Sequence, residues 1–171
     1  MSVAPLMSLP VGILVERRKA VSQWIDYVWT PVAALAGEPE TAPWTVVAVE
    51  GETVTFFAGM AAVEFHRGET ANYRDNLVSG EPKLWVVLRA ADGEPPYALL
   101  TVTADPSEGE AFTEPGVDLV DTVPMPEAIR DALEAFVVEH HVERAFFKRK
   151  RDRAEPEALA RRPRGERENR E

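Results

Sequence analysis

Apolar and polar positions alternate along the first part of this chain, and this pattern predicts β-strands. Val11, Ile13 and Val15 recur at every second position, the period that places one side of a strand in a core. The stretch 22–35 is rich in β-branched and aromatic residues, so it predicts a second strand. Pro31 interrupts this stretch and predicts an edge position or a bend, because proline cannot donate to a strand ladder.

Turn signals join several of these strands into predicted hairpins. Residues 44–49 and 53–58 flank a Glu-Gly-Glu turn at 50–52, which is a typical hairpin pattern. Gly59 predicts another tight reversal, into residues 61–67, because glycine adopts the backbone angles that tight turns need.

A further hairpin is predicted later in the chain. Residues 84–89 and 97–104 flank a loop that contains an Asp-Gly pair at 92–93, the strongest short-range hairpin signal in the sequence. Strands joined by short turns pair antiparallel, because parallel pairs need a long crossover. The sequence therefore predicts antiparallel pairing.

Two segments carry helical signals. Residues 72–79 predict a short helix, with Asn72 as the N-cap and Gly80 as the stop signal. A longer helix is predicted from Pro126, because proline followed by glutamate favours a first turn. Its apolar face consists of residues at helical spacing: Ile129, Leu133, Phe136, Val137 and His140. The same helix could continue through residue 143 toward Phe147.

These elements together predict a single α+β domain over residues 1–147. The expected fold is a strongly curved, mainly antiparallel sheet of about six or seven strands, with a long C-terminal helix packed on it. Closure of this sheet into a barrel stays open as an alternative. A body of about 145 residues buries roughly 70% of its unfolded surface, so its core needs no disulfide or metal.

Charge is distributed unevenly along the chain. Residues 1–143 hold 8 basic and 23 acidic residues, a net charge of −15. Residues 144–171 hold 11 basic and 6 acidic residues, a net charge of +5. Residues 148–171 lack apolar periodicity, so we expect a basic tail that is disordered when free. The acidic body repels nucleic acid and anionic lipid, so a protein is the expected partner.

The start of the basic segment is the predicted partner-binding site. The site residues are Phe146, Phe147, Lys148, Arg149, Lys150, Arg151 and Arg153. The two aromatic rings would anchor a partner, and the charges would steer the segment toward an acidic protein surface. Two alternatives stay open: an arm that neutralises nucleic-acid phosphates, and a solvated tail without a partner.

A candidate pocket gathers aromatic and basic side chains from two parts of the chain, the predicted strand at 22–35 and the polar stretch at 66–76. Its residues are Trp24, Tyr27, Trp29, Arg67, Tyr73 and Arg74. Tryptophan, tyrosine and arginine are the usual anchors of binding surfaces. The same residue types are also ordinary choices for a sheet core and for a capped surface helix.

No catalytic motif accompanies these candidates, so no catalytic residue, metal ligand or cofactor is predicted. The serines lack a Gly-x-Ser-x-Gly elbow, and the chain has no glycine-rich phosphate loop. The adjacent His140 and His141 point apart on a helix and lack the spacing of a zinc protease motif. The sequence therefore leans away from an enzyme.

The compartment is predicted from cysteine usage and from the N-terminal sequence. The chain has no cysteine, which excludes disulfides and thiolate metal sites and is compatible with a reducing compartment. The apolar stretch at 9–15 is followed rather than preceded by basic residues, unlike a secretory signal. No apolar run is long enough to span a membrane. We therefore expect a cytoplasmic protein.

Several short motifs resemble a known family. The motifs are Val15-Glu16-Arg17-Arg18, Trp24 with Trp29, Tyr73-Arg74-Asp75-Asn76-Leu77, Val123-Pro124-Met125-Pro126-Glu127-Ala128 and Phe147-Lys148-Arg149-Lys150-Arg151. Together they are similar to a bacterial family of unknown function. Its genes lie near molybdenum-dependent formate dehydrogenase genes and a companion small uncharacterised protein. The resemblance spans residues 9–162 and transfers no catalytic residue, because the family has none assigned.

The expected function is that of a non-catalytic accessory protein that binds a protein partner. The resemblance implies that this partner is a formate dehydrogenase component and that binding serves assembly or maturation of the enzyme. The alternative is a small-molecule-binding or enzymatic barrel with an aromatic-lined pocket.

Overall fold

The computed structural model describes residues 3–113 and 118–142. The strands are β1 (Met7–Lys19), β2 (Tyr27–Ala36), β3 (Thr45–Glu50), β4 (Thr53–Phe65), β5 (Lys83–Ala90), β6 (Tyr97–Thr103) and β7 (Asp118–Pro124). The helices are a 3-10 turn (Arg67–Glu69), α1 (Thr70–Val78), α2 (Pro106–Ala111) and α3 (Glu127–His140). The described residues therefore form the predicted mixture of strands and helices.

The strands form two antiparallel sheets rather than the one predicted sheet. The first sheet has the order β2-β1-β4-β3, and the second has the order β6-β5-β7. β4 lies beside β6 and β2 lies beside β7, but no ladder joins either pair within the described residues. The predicted antiparallel pairing is confirmed, whereas the described strands do not close into a barrel.

β1 is a central strand because its alternating apolar residues face the core. Val11, Ile13 and Val15 are fully buried, which confirms the predicted period-2 pattern. β1 pairs with β2 on one side and with β4 on the other. The buried valines and isoleucine therefore lie in the middle of the first sheet.

Pro31 and Gly59 lie at irregularities of the first sheet. The pairing of β1 with β2 shifts next to Pro31, as the proline predicted. Gly59 has a φ of +133° and lies where the pairing of β1 with β4 shifts. β4 runs through this position without reversing, so the predicted tight turn at Gly59 is wrong. The glycine instead accommodates a β-bulge.

The two hairpins predicted from turn residues are confirmed. β3 pairs with β4 around Gly51, which has a φ of +60°. β5 pairs with β6 around the loop that contains Gly93, which has a φ of +110°. Glycine is favoured at both positions because other residues rarely adopt positive φ.

The helices begin and end close to the predicted residues. α1 begins at Thr70, with Glu69 rather than Asn72 at its N-cap. α3 follows Pro126, and its predicted apolar face is buried at Ile129, Leu133 and Phe136. The helix ends before His141, which has extended backbone angles. The helix therefore does not include residues 141 and 142, and its predicted continuation toward Phe147 lies outside the described residues.

The helices pack at the end of the first sheet where β4 finishes. The ring of Phe65, the last residue of β4, lies 5.7 Å from that of Tyr73 on α1 and 5.3 Å from that of Phe136 on α3. All three side chains are buried. We call this region the helical end of the domain.

The sequence pattern did not predict α2 and β7. α2 is a short helix whose N-cap, Asp105, accepts hydrogen bonds from the backbone amides of Ser107 and Glu108. Its Gly109 lies against the Trp85 ring, and a Cβ atom at this position would overlap the indole. β7 pairs with β5 and completes the second sheet.

Candidate binding surface

The β1–β2 loop (residues 20–26) and the turn between β3 and β4 lie at the same end of the first sheet. This follows from the pairing, since Arg17 on β1 lies opposite Trp29 on β2 and opposite Val54 on β4. Val54 in turn lies opposite Val49 on β3. Neighbouring strands are about 4.8 Å apart, so this row extends about 14 Å across the sheet. We call this region the hairpin end.

The β1–β2 loop exposes an apolar surface. A backbone hydrogen bond of 3.0 Å from Ala20 to Asp26 closes the loop. Within it, Val21 is fully exposed, Trp24 is 91% exposed and Ile25 is 57% exposed. Exposed apolar side chains that cluster in this way are typical of interaction sites.

Arg17 lies at the base of this loop, over aromatic rings. Its guanidinium carbon is 4.4 Å from the ring centre of Tyr27, 5.4 Å from that of Phe56 and 5.8 Å from that of Trp29. Each distance lies within the range of a cation–π interaction. The Arg17 Nε atom is buried and has no hydrogen-bond partner among the described residues.

Further aromatic rings hold Trp29 in place. Its ring centre lies 6.1 Å from that of Trp44, 5.6 Å from that of Phe56 and 6.0 Å from that of Tyr97. Tyr97 begins β6, so this contact joins the second sheet to the first. The rings beneath Arg17 therefore form a packed support rather than an open pocket.

β3 adds an exposed edge strand to the hairpin end. All six of its residues are exposed, including Val46, Val47 and Val49. In the described sheet, β3 pairs only with β4. An apolar edge of this kind offers unpaired backbone groups to another strand.

The structure brings together only part of the predicted pocket. Tyr27 and Trp29 share the face of β2 that lies under Arg17. Trp24 lies in the adjacent loop and not on the strand, because the chain reverses between β1 and β2 through residues 20–26. The strand predicted at 22–35 therefore begins only at Tyr27.

The other predicted pocket residues lie at the helical end. Tyr73 is buried against Phe65, whereas Arg67 and Arg74 are exposed on the 3-10 turn and on α1. β4 separates the two ends by roughly 35 Å, from the rise of an extended strand. The six predicted side chains therefore do not line one pocket.

Arg17 was not predicted as a site residue, although a signal for it exists. The alternation of Val11, Ile13 and Val15, continued by two positions, places Arg17 on the same face of the strand. A basic residue on the buried face of a strand needs a partner there. In the structure, the aromatic rings are that partner.

The predicted partner-binding segment at 146–153 lies outside the described residues. That prediction is therefore carried forward as a proposal below.

Carboxylates gather near α1 and α2, but each has a structural role. Asn72 donates a hydrogen bond of 3.0 Å to Glu69, and Thr103 donates one of 2.8 Å to Glu108. Asp105 caps α2. Burial, together with the hydrogen bond and the charge of Asp105, raises the pKa of Glu69. These carboxylates therefore make contacts within the fold, where α1 meets α2.

Histidine does not assemble a metal site in the part of the chain that the structure describes. His140 packs against Phe136, with 4.5 Å between ring centres. The His141 Nδ1 atom lies 3.1 Å from Thr70 Oγ1, so the two adjacent imidazoles have separate partners. Across residues 3–113 and 118–142, no group of three or more His, Asp and Glu side chains could hold a metal ion.

A cavity of about 270 Å³ follows the seam between β4 and β6. Its lining includes Met60, Glu64, Leu100, Thr103 and Glu108. Ligand pockets usually enclose about 300–1,000 Å³ and are mainly apolar. None of the predicted pocket residues lines this cavity.

The described helices include none that is long and apolar enough to cross a membrane.

The fold and the surface define an α+β domain of two antiparallel sheets with an exposed apolar loop. The family model for a protein of unknown function (DUF3305) matches residues 10–151. This match covers most of the chain, so the protein belongs to that family. The membership confirms the predicted resemblance to a family of unknown function. No curated protein and no solved structure matches this chain.

Proposed function

We propose that this protein is a non-catalytic accessory protein that binds a protein partner through its hairpin end. The observation that carries the proposal is the 91% exposed indole of Trp24, in a loop closed by the Ala20–Asp26 hydrogen bond. An exposed indole adds little to a folded core. Tryptophan is enriched among the residues that contribute most to protein interfaces.

The surroundings of Trp24 support a binding role. Val21 and Ile25 extend the apolar surface within the loop, and Tyr27 and Val28 continue it onto β2. The loop is joined to Arg17 and its aromatic support by a short stretch of strand. An exposed apolar loop positioned by a rigid sheet is a common arrangement for recognition.

The proposed process is assembly or maturation of formate dehydrogenase, with a component of that enzyme as the partner. The support is the resemblance of the motifs, including Val15 to Arg18 and Tyr73 to Leu77, to a family encoded near those genes. The proposed setting is a bacterial cytoplasm.

The basic segment is proposed as a second contact with the same partner. Phe146 and Phe147 would supply anchors, and residues 148–153 would supply five basic side chains. Because opposite charges accelerate association, this segment would act first and the Trp24 loop would complete the contact.

Affinity capture from native cells tests the proposal. The baits are the full chain, its Trp24→Ser variant and a chain that lacks residues 146–171. Val78→Ser is the matched control, because Val78 is 72% exposed but lies on α1 at the helical end. We expect Trp24→Ser and the truncation to weaken capture of formate dehydrogenase components, and Val78→Ser to leave it unchanged.

The outcomes separate the two contacts. Equal capture by the full chain and the Trp24→Ser variant would overturn the role of the loop. Equal capture by the full chain and the truncated chain would overturn the role of the basic segment. Thermal unfolding of each variant provides the folding control.

The alternative function, a small-molecule-binding or enzymatic barrel, has less support. The two sheets are not joined by ladders in the described residues, and the six aromatic and basic side chains predicted for the pocket divide between two ends of the domain.

A further inference from the structure

Arg17 is a cation without a counter-ion in the described part of the chain. Three other arginines form ion pairs: Arg18 with Glu16 on the same strand, Arg130 with Glu134 on the same helix, and Arg89 with Asp118 on the neighbouring strand. Arg17 forms no such pair there and makes no hydrogen bond to a described residue. Its terminal N–H groups therefore keep their hydrogen-bonding capacity for another molecule.

The aromatic rings determine how that capacity can be used. The guanidinium lies over Tyr27 and close to Phe56 and Trp29, and its Nε atom is inaccessible. Arginine recognises a carboxylate edge-on, through two parallel N–H groups. A ring against one face leaves an edge of the guanidinium for such a contact. The rings replace water on the face of the guanidinium that they cover, which strengthens an ion pair formed at its edge.

The local charge differs from that of the rest of the body. Residues 16–28 contain three basic and two acidic side chains, a net charge of +1, whereas residues 1–143 carry a net charge of −15. One of the two acids, Glu16, is paired with Arg18. An approaching carboxylate therefore meets less repulsion here than elsewhere on the body.

Resting on the proposed function, we infer that Arg17 binds an Asp or Glu carboxylate of the partner segment that packs on Trp24. The occupant is an acidic peptide segment with an apolar or aromatic side chain close to its carboxylate. Trp24 lies seven positions from Arg17 along the hairpin and three positions from Tyr27, and three positions span at most about 11 Å. One short peptide can therefore reach both groups.

This inference deepens the proposed function, because it specifies the chemistry of the partner. The basic segment at 148–153 is expected to favour an acidic partner surface, and Arg17 would receive one particular carboxylate of such a surface. The Arg17 site would select a ligand by the geometry of its carboxylate. A run of basic side chains attracts ligands mainly according to their total charge.

Selection of displayed random peptides on the immobilised full chain tests the inference. We expect the selected peptides to contain Asp or Glu close to an apolar or aromatic residue. The Kd of a selected peptide is then measured by calorimetry for the full chain and for the variants Arg17→Met, Arg17→Lys and Arg18→Met. Arg18 is the matched control, because successive strand residues point to opposite faces.

The expected effect is a rise in Kd of about 10-fold to 100-fold for Arg17→Met, from the usual strength of hydrogen bonds to charged groups. Arg17→Lys keeps the charge but loses the paired N–H groups, so it should weaken binding by a smaller factor. Arg18→Met removes the same charge from the opposite face of the strand, so it should weaken binding much less than Arg17→Met does. Changing the peptide carboxylate, Glu→Gln, tests the same contact without altering the protein.

Equal Kd values for the Glu and Gln peptides, or for Arg17→Met and the unaltered chain, would overturn the inference. Selection of peptides without acidic residues would also overturn it. Inorganic phosphate is the competitor that distinguishes a general oxyanion site; if phosphate bound Arg17 as tightly as the peptide, the peptide assignment would be wrong. Peptide binding that is insensitive to Trp24→Ser would instead contradict the proposed function of the loop.

Discussion

Asn76 and Lys83 are joined by two hydrogen bonds that run in opposite directions. The Asn76 Nδ2 amide donates to the carbonyl oxygen of Lys83 at 2.8 Å, and Asn76 Oδ1 accepts from the Lys83 backbone amide at 3.0 Å. Nδ2 also donates to the carbonyl oxygen of Ala104 at 2.9 Å. One buried amide therefore connects α1 to the start of β5 and to the residue after β6.

We expect Asn76→Ala to lower the free energy of unfolding by about 2–4 kcal/mol, because it leaves buried backbone groups without partners. Urea denaturation followed by circular dichroism measures this change. Asn72→Ala is the matched control, since Asn72 lies on the same helix as Asn76 but its amide makes only a part-buried contact with Glu69. A comparable loss in both variants would contradict the connecting role of Asn76.

Tyr73 should make stability depend on alkaline pH. Burial, more than the nearby carboxylates, raises the pKa of Tyr73 to about 12; its hydroxyl accepts a hydrogen bond from His66 N and donates to the Glu64 carbonyl. Since the pKa is about 10 when unfolded, the unfolded chain loses this proton first. The stability that Tyr73 contributes is therefore complete below pH 10 and is lost as the pH rises through 12.

The measurement for Tyr73 is the urea midpoint between pH 8 and pH 12. We expect the fall at high pH to be shallower in Tyr73→Phe than in the unaltered chain. Tyr27→Phe is the control, because Tyr27 is 40% exposed. Identical pH profiles for the unaltered chain and Tyr73→Phe would refute the assignment.

Glu69 should oppose folding at neutral pH. Burial first, and then the hydrogen bond and charge of Asp105, raise the pKa of Glu69 above 4.5. Its contribution to stability is therefore complete below the unfolded pKa and is lost as the pH rises through the folded value. Removing the charge should avoid that loss.

Glu69→Gln is accordingly expected to raise the melting temperature at pH 7, with a smaller difference at pH 4. Differential scanning calorimetry at both pH values measures the effect. Glu81→Gln is the control, because Glu81 is exposed in the connection between α1 and β5. A lower melting temperature for Glu69→Gln at pH 7 would show that the carboxylate stabilises the fold.

Gly109 is required by the packing of α2 on Trp85. A Cβ atom at Gly109 would overlap the indole, whereas one at Gly68 would meet nothing within 4 Å. Overpacking of a filled core costs about 1–3 kcal/mol, so we expect Gly109→Ala to lower the free energy of unfolding by at least this amount. Gly68→Ala should change it by less than about 0.5 kcal/mol. Equal unfolding midpoints for the two variants would contradict the close approach.

The edge strand β3 should promote aggregation when the protein is heated. Val49 is 67% exposed on this strand, and unpaired edges accept further strands. We expect Val49→Lys to slow the rise of light scattering during heating without lowering the melting temperature. Val138→Lys adds the same charge at an 85% exposed position on α3. An equal delay in both variants would indicate an effect of net charge rather than of the edge.

Local periodicity was sufficient to predict the elements with one strongly buried face. The alternation around Ile13 places a strand in the core, and the helical spacing of Leu133 and Phe136 places α3 against it. The turns at Gly51 and Gly93 were also predictable, since their positive φ angles favour glycine. Gly59 has a positive φ as well, but it lies in a bulge. A glycine in the sequence can indicate a position with positive φ, but it does not reveal whether the chain reverses there.

The candidate site was only partly predictable. Trp24 is exposed because it lies in the loop between the end of β1 and the start of β2. Its residue type alone predicted a strand at this position. Tyr73 contains the same aromatic group as Tyr27, yet the first is buried under Phe136 and the second lies under Arg17. The sequence contains no signal that distinguishes the environment of Tyr73 from that of Tyr27. The distance between the two environments is set by the length of β4.

The sequence alone therefore determined which residues face a core, where most strands turn and how charge divides along the chain. These properties depend on neighbours within a few positions, through backbone geometry and the burial of apolar side chains. The tertiary structure decided that the strands form two sheets and that Arg17 meets three aromatic rings. It also decided that the predicted pocket residues lie at opposite ends. Those outcomes depend on contacts between residues far apart in the chain, which no local pattern encodes.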